Sequence, residues 1–144
     1  TTLSAAVRHY VNELFQHEGL IVLDANDADL KKALIPVMEE DLLRHTPYHQ
    51  VNQTNQQLEQ LGYHPQVNAR EINFFYLKDS LRSRIEKRGD RFQVLDSTIS
   101  FSASEIQARI KSNPEEFSPN VILRPLYQEL ILPNLAYVGG PAEL

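Results

Sequence analysis

The sequence contains no cysteine. Disulfides, thiolate metal sites and a cysteine nucleophile are therefore all excluded. The lack fits a reducing compartment, and the cytoplasm is the expected location. No apolar run approaches the roughly 18 residues of a membrane-spanning helix. The opening Thr1-Thr2-Leu3-Ser4 carries no signal-peptide pattern. Basic residues are outnumbered, 14 against 19 acidic, for a net charge of −5. Nucleic-acid surfaces usually need a basic excess, so no nucleic-acid partner is expected. No Ser-His-Asp order, phosphate-binding loop or paired catalytic carboxylate can be assigned, so the catalytic residues stay unknown, and no internal repeat is visible.

What is present is an ordinary globular composition, 42% hydrophobic and 23% charged over 144 residues, enough for one domain with a real core. The fold class read from the pattern is α/β. Leu3, Val7, Tyr10, Val11, Leu14 and Phe15 recur at helical spacing over 3–17, with Thr2 or Ser4 as cap and Gly19 as stop. The wholly apolar Leu20-Ile21-Val22-Leu23 suits a parallel strand buried on both faces. Asn26 then caps a helix whose face is Leu30, Ala33, Leu34, Val37, Met38 and Leu42, interrupted at Pro36. Thr46-Pro47 restarts a polar helix over 47–61, with a thin stripe of Val51, Thr54, Leu58 and Leu61 and a stop at Gly62. Its many amides mark a solvated or partner-facing helix.

From Glu71 the period changes to two. Ile72, Phe74 and Tyr76 predict a strand, and Arg88-Gly89-Asp90 predicts a hairpin between 82–86 and 91–95. Thr98 to Phe101 adds a short strand. Ser102-Ala103-Ser104-Glu105 is a capping box, opening a helix to about Lys111. Ser118-Pro119 resembles another helix start. Beyond it two readings stay open for 119–124: one kinked helix, or an extended Val121-Ile122-Leu123 followed by a helix from Pro125 to Leu132. Leu135 to Val138 then reads as a second buried strand.

That last run breaks at Gly139-Gly140-Pro141 and is followed by Glu143. A strand opening into a loop without side chains lets a ligand approach the backbone; an ordinary strand-to-helix turn explains the same spacing equally well. Arg124 and Gln128 lie four apart and share a helix face. A guanidinium and an amide there suit a carboxylate or phosphate, although a surface ion pair such as Arg124 with Glu129 is the heavier reading. His45 and His49 have ligand spacing, but Thr46-Pro47 breaks the helix between them, so no metal is implied. Asp24 reads as an Asx turn before it reads as a ligand contact. The basic hairpin, with Arg82, Arg84, Lys87, Arg88 and Arg91, reads as a solvated surface.

Phe117-Ser118-Pro119-Asn120-Val121-Ile122-Leu123-Arg124-Pro125-Leu126-Tyr127-Gln128-Glu129, with Leu132 to Glu143, closely resembles the bacillithiol biosynthesis cysteine-adding enzyme family. Gly62-Tyr63-His64-Pro65-Gln66-Val67, Arg70 to Tyr76 and Gly19 to Asp24 resemble its preceding regions. The resemblance implies a central piece of a longer cysteine ligase, inactive alone, that joins cysteine to glucosaminyl malate. It implies a Rossmann-like core similar to class I aminoacyl-tRNA synthetases, with connecting insertions and a helical coiled-coil domain. Residues 1–45 and 117–144 would then belong to the core and 46–116 to an inserted module. Arg124, Gln128, Tyr137, Gly139, Gly140, Pro141 and Glu143 match the family's shared motif and are the expected substrate-binding residues. ATP or ADP is implied as a cofactor held largely elsewhere, and a homodimer is implied for the full-length protein. The alternative is a non-catalytic interaction or dimerisation segment, which the polar helix 47–61 motivates.

Overall fold

The computed structural model describes residues 2–140. Helix α1 (Leu3–Phe15) begins where Thr2 accepts the Ala5 N–H on its hydroxyl at 3.2 Å. A 3-10 turn and Gly19, at φ 74°, end it as expected. None of its residues is buried, and its apolar stripe of Leu3, Val7, Tyr10 and Leu14 faces outward. Asp27, rather than Asn26, caps α2 (Ala28–Lys32), because its Oδ1 accepts the N–H groups of both Asp29 and Leu30. Proline cannot supply an interior N–H, and Pro36 accordingly separates α2 from α3 (Ile35–Glu39) by a turn. A π-helical turn, Glu40–Arg44, follows.

Helix α4 (Thr46–Gln60) carries the polar segment. Its start differs from expectation: His45 at φ 56° precedes it, and the Thr46 hydroxyl donates to Glu40 at 2.7 Å instead of capping the helix. Its end is a Schellman turn. The Tyr63 N–H reaches the Leu58 carbonyl at 2.9 Å and the Gly62 N–H reaches Glu59 at 3.0 Å, with Gly62 at φ 84°.

Strands β1 (Phe74–Lys78), β2 (Leu81–Arg88), β3 (Arg91–Val94), β4 (Ser100–Ser102) and β5 (Phe117–Pro119) form one antiparallel sheet in the order β4-β3-β2-β1-β5. Gly89-Asp90 turns the β2–β3 hairpin with Arg88 opposite Arg91, as the spacing predicted. Ser102 and Glu105 form the expected capping box on α5 (Ala103–Ser112). One sheet face, carrying Phe74, Tyr76, Ile85, Phe92, Val94 and Phe117, is buried in one cluster with Leu34, Met38, Leu42, Ile106 and Ile110. The Tyr76 hydroxyl donates to Glu116 at 2.7 Å, and Glu116 receives two Arg109 N–H groups at 2.6 Å. Lys31 is buried beside them. Its ammonium donates to the Phe117 carbonyl and stands 5.6 Å from the Tyr127 ring centre, and desolvation pulls its pKa down to about 8.

The mixed α/β character holds, but three elements are corrected. Leu20–Leu23 and Leu135–Val138 are irregular rather than buried strands, with Ile21 69% and Val138 95% exposed. A doubly buried parallel strand needs neighbours to satisfy its backbone. The sheet among the described residues is antiparallel, and neither run pairs with its β4 or β5 edge. Ser118-Pro119 is strand rather than helix start, and 121–123 is a turn, neither the kinked helix nor the extended stretch of the two open readings. Helix α6 (Arg124–Ile131) follows and stops short of Pro133.

Candidate functional site

Arg124 owes its position to a relay of hydrogen-bonded amides that starts at buried Asp41 and Asn73. In the π-helical turn, Asp41 accepts the Asn73 backbone N–H at 2.6 Å and the Asn73 side-chain amide at 2.9 Å. Asp41 is fully buried, and desolvation pushes its carboxyl up to about 6, against the opposing pull of those Asn73 donors. The Asn73 side-chain oxygen takes the Asn120 amide at 2.9 Å, and the Asn73 carbonyl takes the Asn120 N–H at 2.9 Å. Asn120 in turn accepts the Ile122 and Leu123 N–H groups on its own side-chain oxygen. Three segments far apart in sequence thereby fix the chain entering α6, and Tyr127 locks the helix by donating to the Ala25 carbonyl at 3.1 Å.

An open groove of about 350 Å³ lies between this α6 entry and α4. Val51, Thr54 and Leu58 of α4 form one wall, Val121, Ile122 and Pro125 the other, and Arg124 and Tyr137 bring a guanidinium and a phenol. Gln50, Asn55 and Gln66 add amides. Asn55 donates to the Val67 carbonyl at 2.9 Å, which holds the 62–73 loop against α4. Aliphatic walls, several amides and a single guanidinium suit a small polar ligand bearing an anionic group.

Of the residues singled out in the sequence, Arg124 and Tyr137 share this groove. Gln128 is exposed one turn further along α6 and does not line it. Gly139 and Gly140 continue in irregular backbone past Tyr137, also away from the lining, and Gly140 has its own contacts. Pro141 and Glu143 lie outside the described residues. Glu129 accepts the Asn134 amide at 2.7 Å. The α4 wall was missed as a ligand surface, although its Val51, Thr54, Leu58 stripe was the legible signal.

Asp24 forms the expected Asx turn, with Oδ1 accepting the Asn26 N–H at 2.9 Å. The Ser4 hydroxyl on its other oxygen, then the Asn26 N–H, hold its carboxyl below the ordinary value. The His45 Nδ1 donates to the Glu71 carbonyl at 2.8 Å, and among the described residues no group of three or more potential ligands could hold a metal. No helix among them is long and apolar enough to cross a membrane.

The whole chain, residues 1–144, matches the family model described as bacillithiol biosynthesis BshC, N-terminal Rossmann-like domain. A relative from Cytophaga hutchinsonii, named “Putative cysteine ligase BshC”, is 52% identical over 143 residues, covering 99% of this chain and 27% of the relative. Relatives of the same name are 50% identical in Flavobacterium johnsoniae, over 99% of this chain and 26% of the relative, and 34% identical in Bacillus mycoides, over 94% and 26%. The chain thus spans about a quarter of the length of these curated relatives. With the match running from first residue to last, the chain belongs to the BshC family, within its N-terminal Rossmann-like domain.

Proposed function

We propose that the natural full-length protein is a cytoplasmic ligase that forms a carbon–nitrogen bond between cysteine and glucosaminyl malate, and that the α4–α6 groove is part of its substrate pocket. The observation that carries the reading is the 52% identity, over nearly the whole chain, to the relative named “Putative cysteine ligase BshC”. The groove supports it chemically. Arg124 matches a malate carboxylate, which a guanidinium binds through a planar fork. The amides of Gln50, Asn55 and Gln66 match sugar hydroxyls, and the Tyr137 phenol can donate to either. These are binding roles, and no proton transfer is assigned to them.

Bond formation between a carboxylate and an amine needs the carboxylate activated, and ATP would supply that activation when bound. The groove's donor set of amides, aliphatic carbon and a single arginine does not fit a triphosphate, which calls for several cations or a glycine-rich backbone cradle. The groove residues therefore serve the acceptor substrate rather than ATP, and the 144-residue chain alone is expected to be inactive. The test is product formation by the full-length protein from cysteine, glucosaminyl malate and ATP, followed by mass spectrometry. Arg124→Ala should raise KM for the malate glucosaminide by about tenfold, the worth of one charge-assisted contact. An absent product sinks the ligase reading, and an unchanged KM in a folded variant sinks the groove.

A further inference from the structure

Arg124 also borders a second depression, of about 540 Å³, whose wall carries Arg70, Arg82 and Arg84 as well. The grouping follows from the sheet. Arg84 sits opposite Phe75 and Arg82 opposite Leu77 in the β1–β2 ladder, and period-two alternation puts all four on the face turned away from the core. No aspartate or glutamate lines this depression. Among the described residues, no ion pair involves Arg70, Arg82 or Arg84. In a chain of net charge −5, three arginines outside any ion pair on one wall, Arg70, Arg82 and Arg84, call for an explanation.

One guanidinium and one backbone segment are held in place. The Arg82 guanidinium lies 3.9 Å from the Phe75 ring centre, a cation–π contact that limits its rotamers and leaves its N–H edge free to donate. The Arg70 backbone is clamped by Asn73, which accepts its N–H at 3.3 Å and donates to its carbonyl at 2.7 Å. Asn68 and Asn120 add amides to the wall, and Phe75 and Pro119 give it an apolar floor. The volume is that of a small-molecule site.

We propose that this depression binds a small molecule carrying two or more oxyanion groups, a dicarboxylate or a diphosphate. One monoanion would leave most of the positive charge of Arg70, Arg82 and Arg84 unmatched. A long polyanion is disfavoured by what flanks the site: Glu71 and Glu86 share an adjoining depression with the other side of Arg70 and Arg84, and Glu86 already pairs with Arg88 at 3.5 Å. The inference does not rest on the ligase reading, because binding here is measured without turnover and through residues outside the α4–α6 groove.

The experiment uses the natural full-length protein and isothermal titration with inorganic pyrophosphate, succinate and acetate at fixed ionic strength. The double variant Arg82→Gln/Arg84→Gln should weaken pyrophosphate or succinate binding by about tenfold or more, as expected for losing two charge-assisted partners. Arg91→Gln, on the same hairpin but bonded to Ser100 outside the site, should leave it unchanged. The arm that responds identifies the ligand as phosphate or carboxylate. Should the double variant unfold, protection of Arg82 and Arg84 from phenylglyoxal by the same ligands, read by peptide mass spectrometry, replaces it. Equal binding of acetate, an unaffected double variant, no protection, or tighter binding of a single-stranded oligonucleotide than of pyrophosphate would each overturn the proposal. The ligase reading would survive any of these, since it stands or falls on product formation and the Arg124 effect on KM.

Discussion

Removing the Asn73 side chain should reveal how much of the fold hangs on one buried amide. Asn73 is 1% exposed, and its side chain makes four hydrogen bonds: to Asp41, to the Arg70 carbonyl, from the Arg70 N–H and from Asn120. In Asn73→Ala, Asp41 keeps only the backbone N–H, and the Asn120 amide loses its acceptor. Each buried polar group left unpaired costs about 1–3 kcal/mol, so the loss at pH 7.5 should be about 3–4 kcal/mol. That is a large part of the roughly 5–15 kcal/mol available to a domain. The loss should also depend on pH. The Asp41 pKa is about 6 folded against an ordinary 3.8, so its protonated form adds stability below the unfolded value, and that stability is lost as pH rises through about 6. Deleting a donor raises the folded pKa further and deepens the loss above it. Urea denaturation of the 144-residue chain should give a cost about 1–2 kcal/mol smaller at pH 5 than at pH 7.5. Equal losses at both pH values, or a loss under about 1 kcal/mol, would refute the relay as an energetic unit.

Lys31 has the opposite pH dependence. Its folded pKa of about 8 is depressed from 10.5, so its contribution is fully present above the unfolded value and lost as pH falls through about 8. Wild type should therefore gain roughly 3 kcal/mol over Lys31→Met between pH 8 and pH 10.5, measured as the difference in their denaturation free energies. Glu116→Gln should cost about 1–3 kcal/mol, because it weakens the bidentate Arg109 pairing at a largely buried position. The same variant should lower the Tyr76 pKa, which burial and then Glu116 hold above its ordinary value, and a spectrophotometric phenol titration reads that directly.

Local signals were legible wherever one short segment decides the outcome. The Ser102–Glu105 capping box, the Gly89-Asp90 hairpin and the Gly62 stop all appear because each rests on hydrogen bonds or a positive φ within a few residues. The strand at 117–119 was not legible, since its partner Phe74–Tyr76 lies more than 40 positions earlier and Pro119 resembled a helix start. Leu20–Leu23 and Leu135–Val138 misled for a different reason. Apolar composition records that a segment is suited to burial, but a strand also needs a neighbour for its backbone, and composition does not say where that neighbour is. The candidate site followed the same division. Arg124 and Tyr137 were named from the motif, whereas the α4 wall opposite them depends on tertiary packing.

The relay from Asp41 to Asn120 bears on both depressions, because Arg124 borders each of them at the first residue of α6. Its backbone N–H is bonded to the Asn120 carbonyl at 2.9 Å, and Asn120 is held by Asn73 through side chain and main chain. A guanidinium on a long flexible stem gains little from being near a ligand unless its backbone is fixed, since ordering the side chain costs about 2 kcal/mol of rotamer entropy. Fixing the helix start with hydrogen-bonded amides removes the backbone part of the ordering cost from the binding step. The relay also passes through Arg70, whose backbone Asn73 clamps, so one buried amide positions the main chain of two of the four arginines around the second depression. Asn73 lines that depression but not the α4–α6 groove. A substitution there therefore disturbs the groove through the position of α6 and of the loop carrying Gln66 and Val67, which separates an effect of placement from an effect of lost ligand contact.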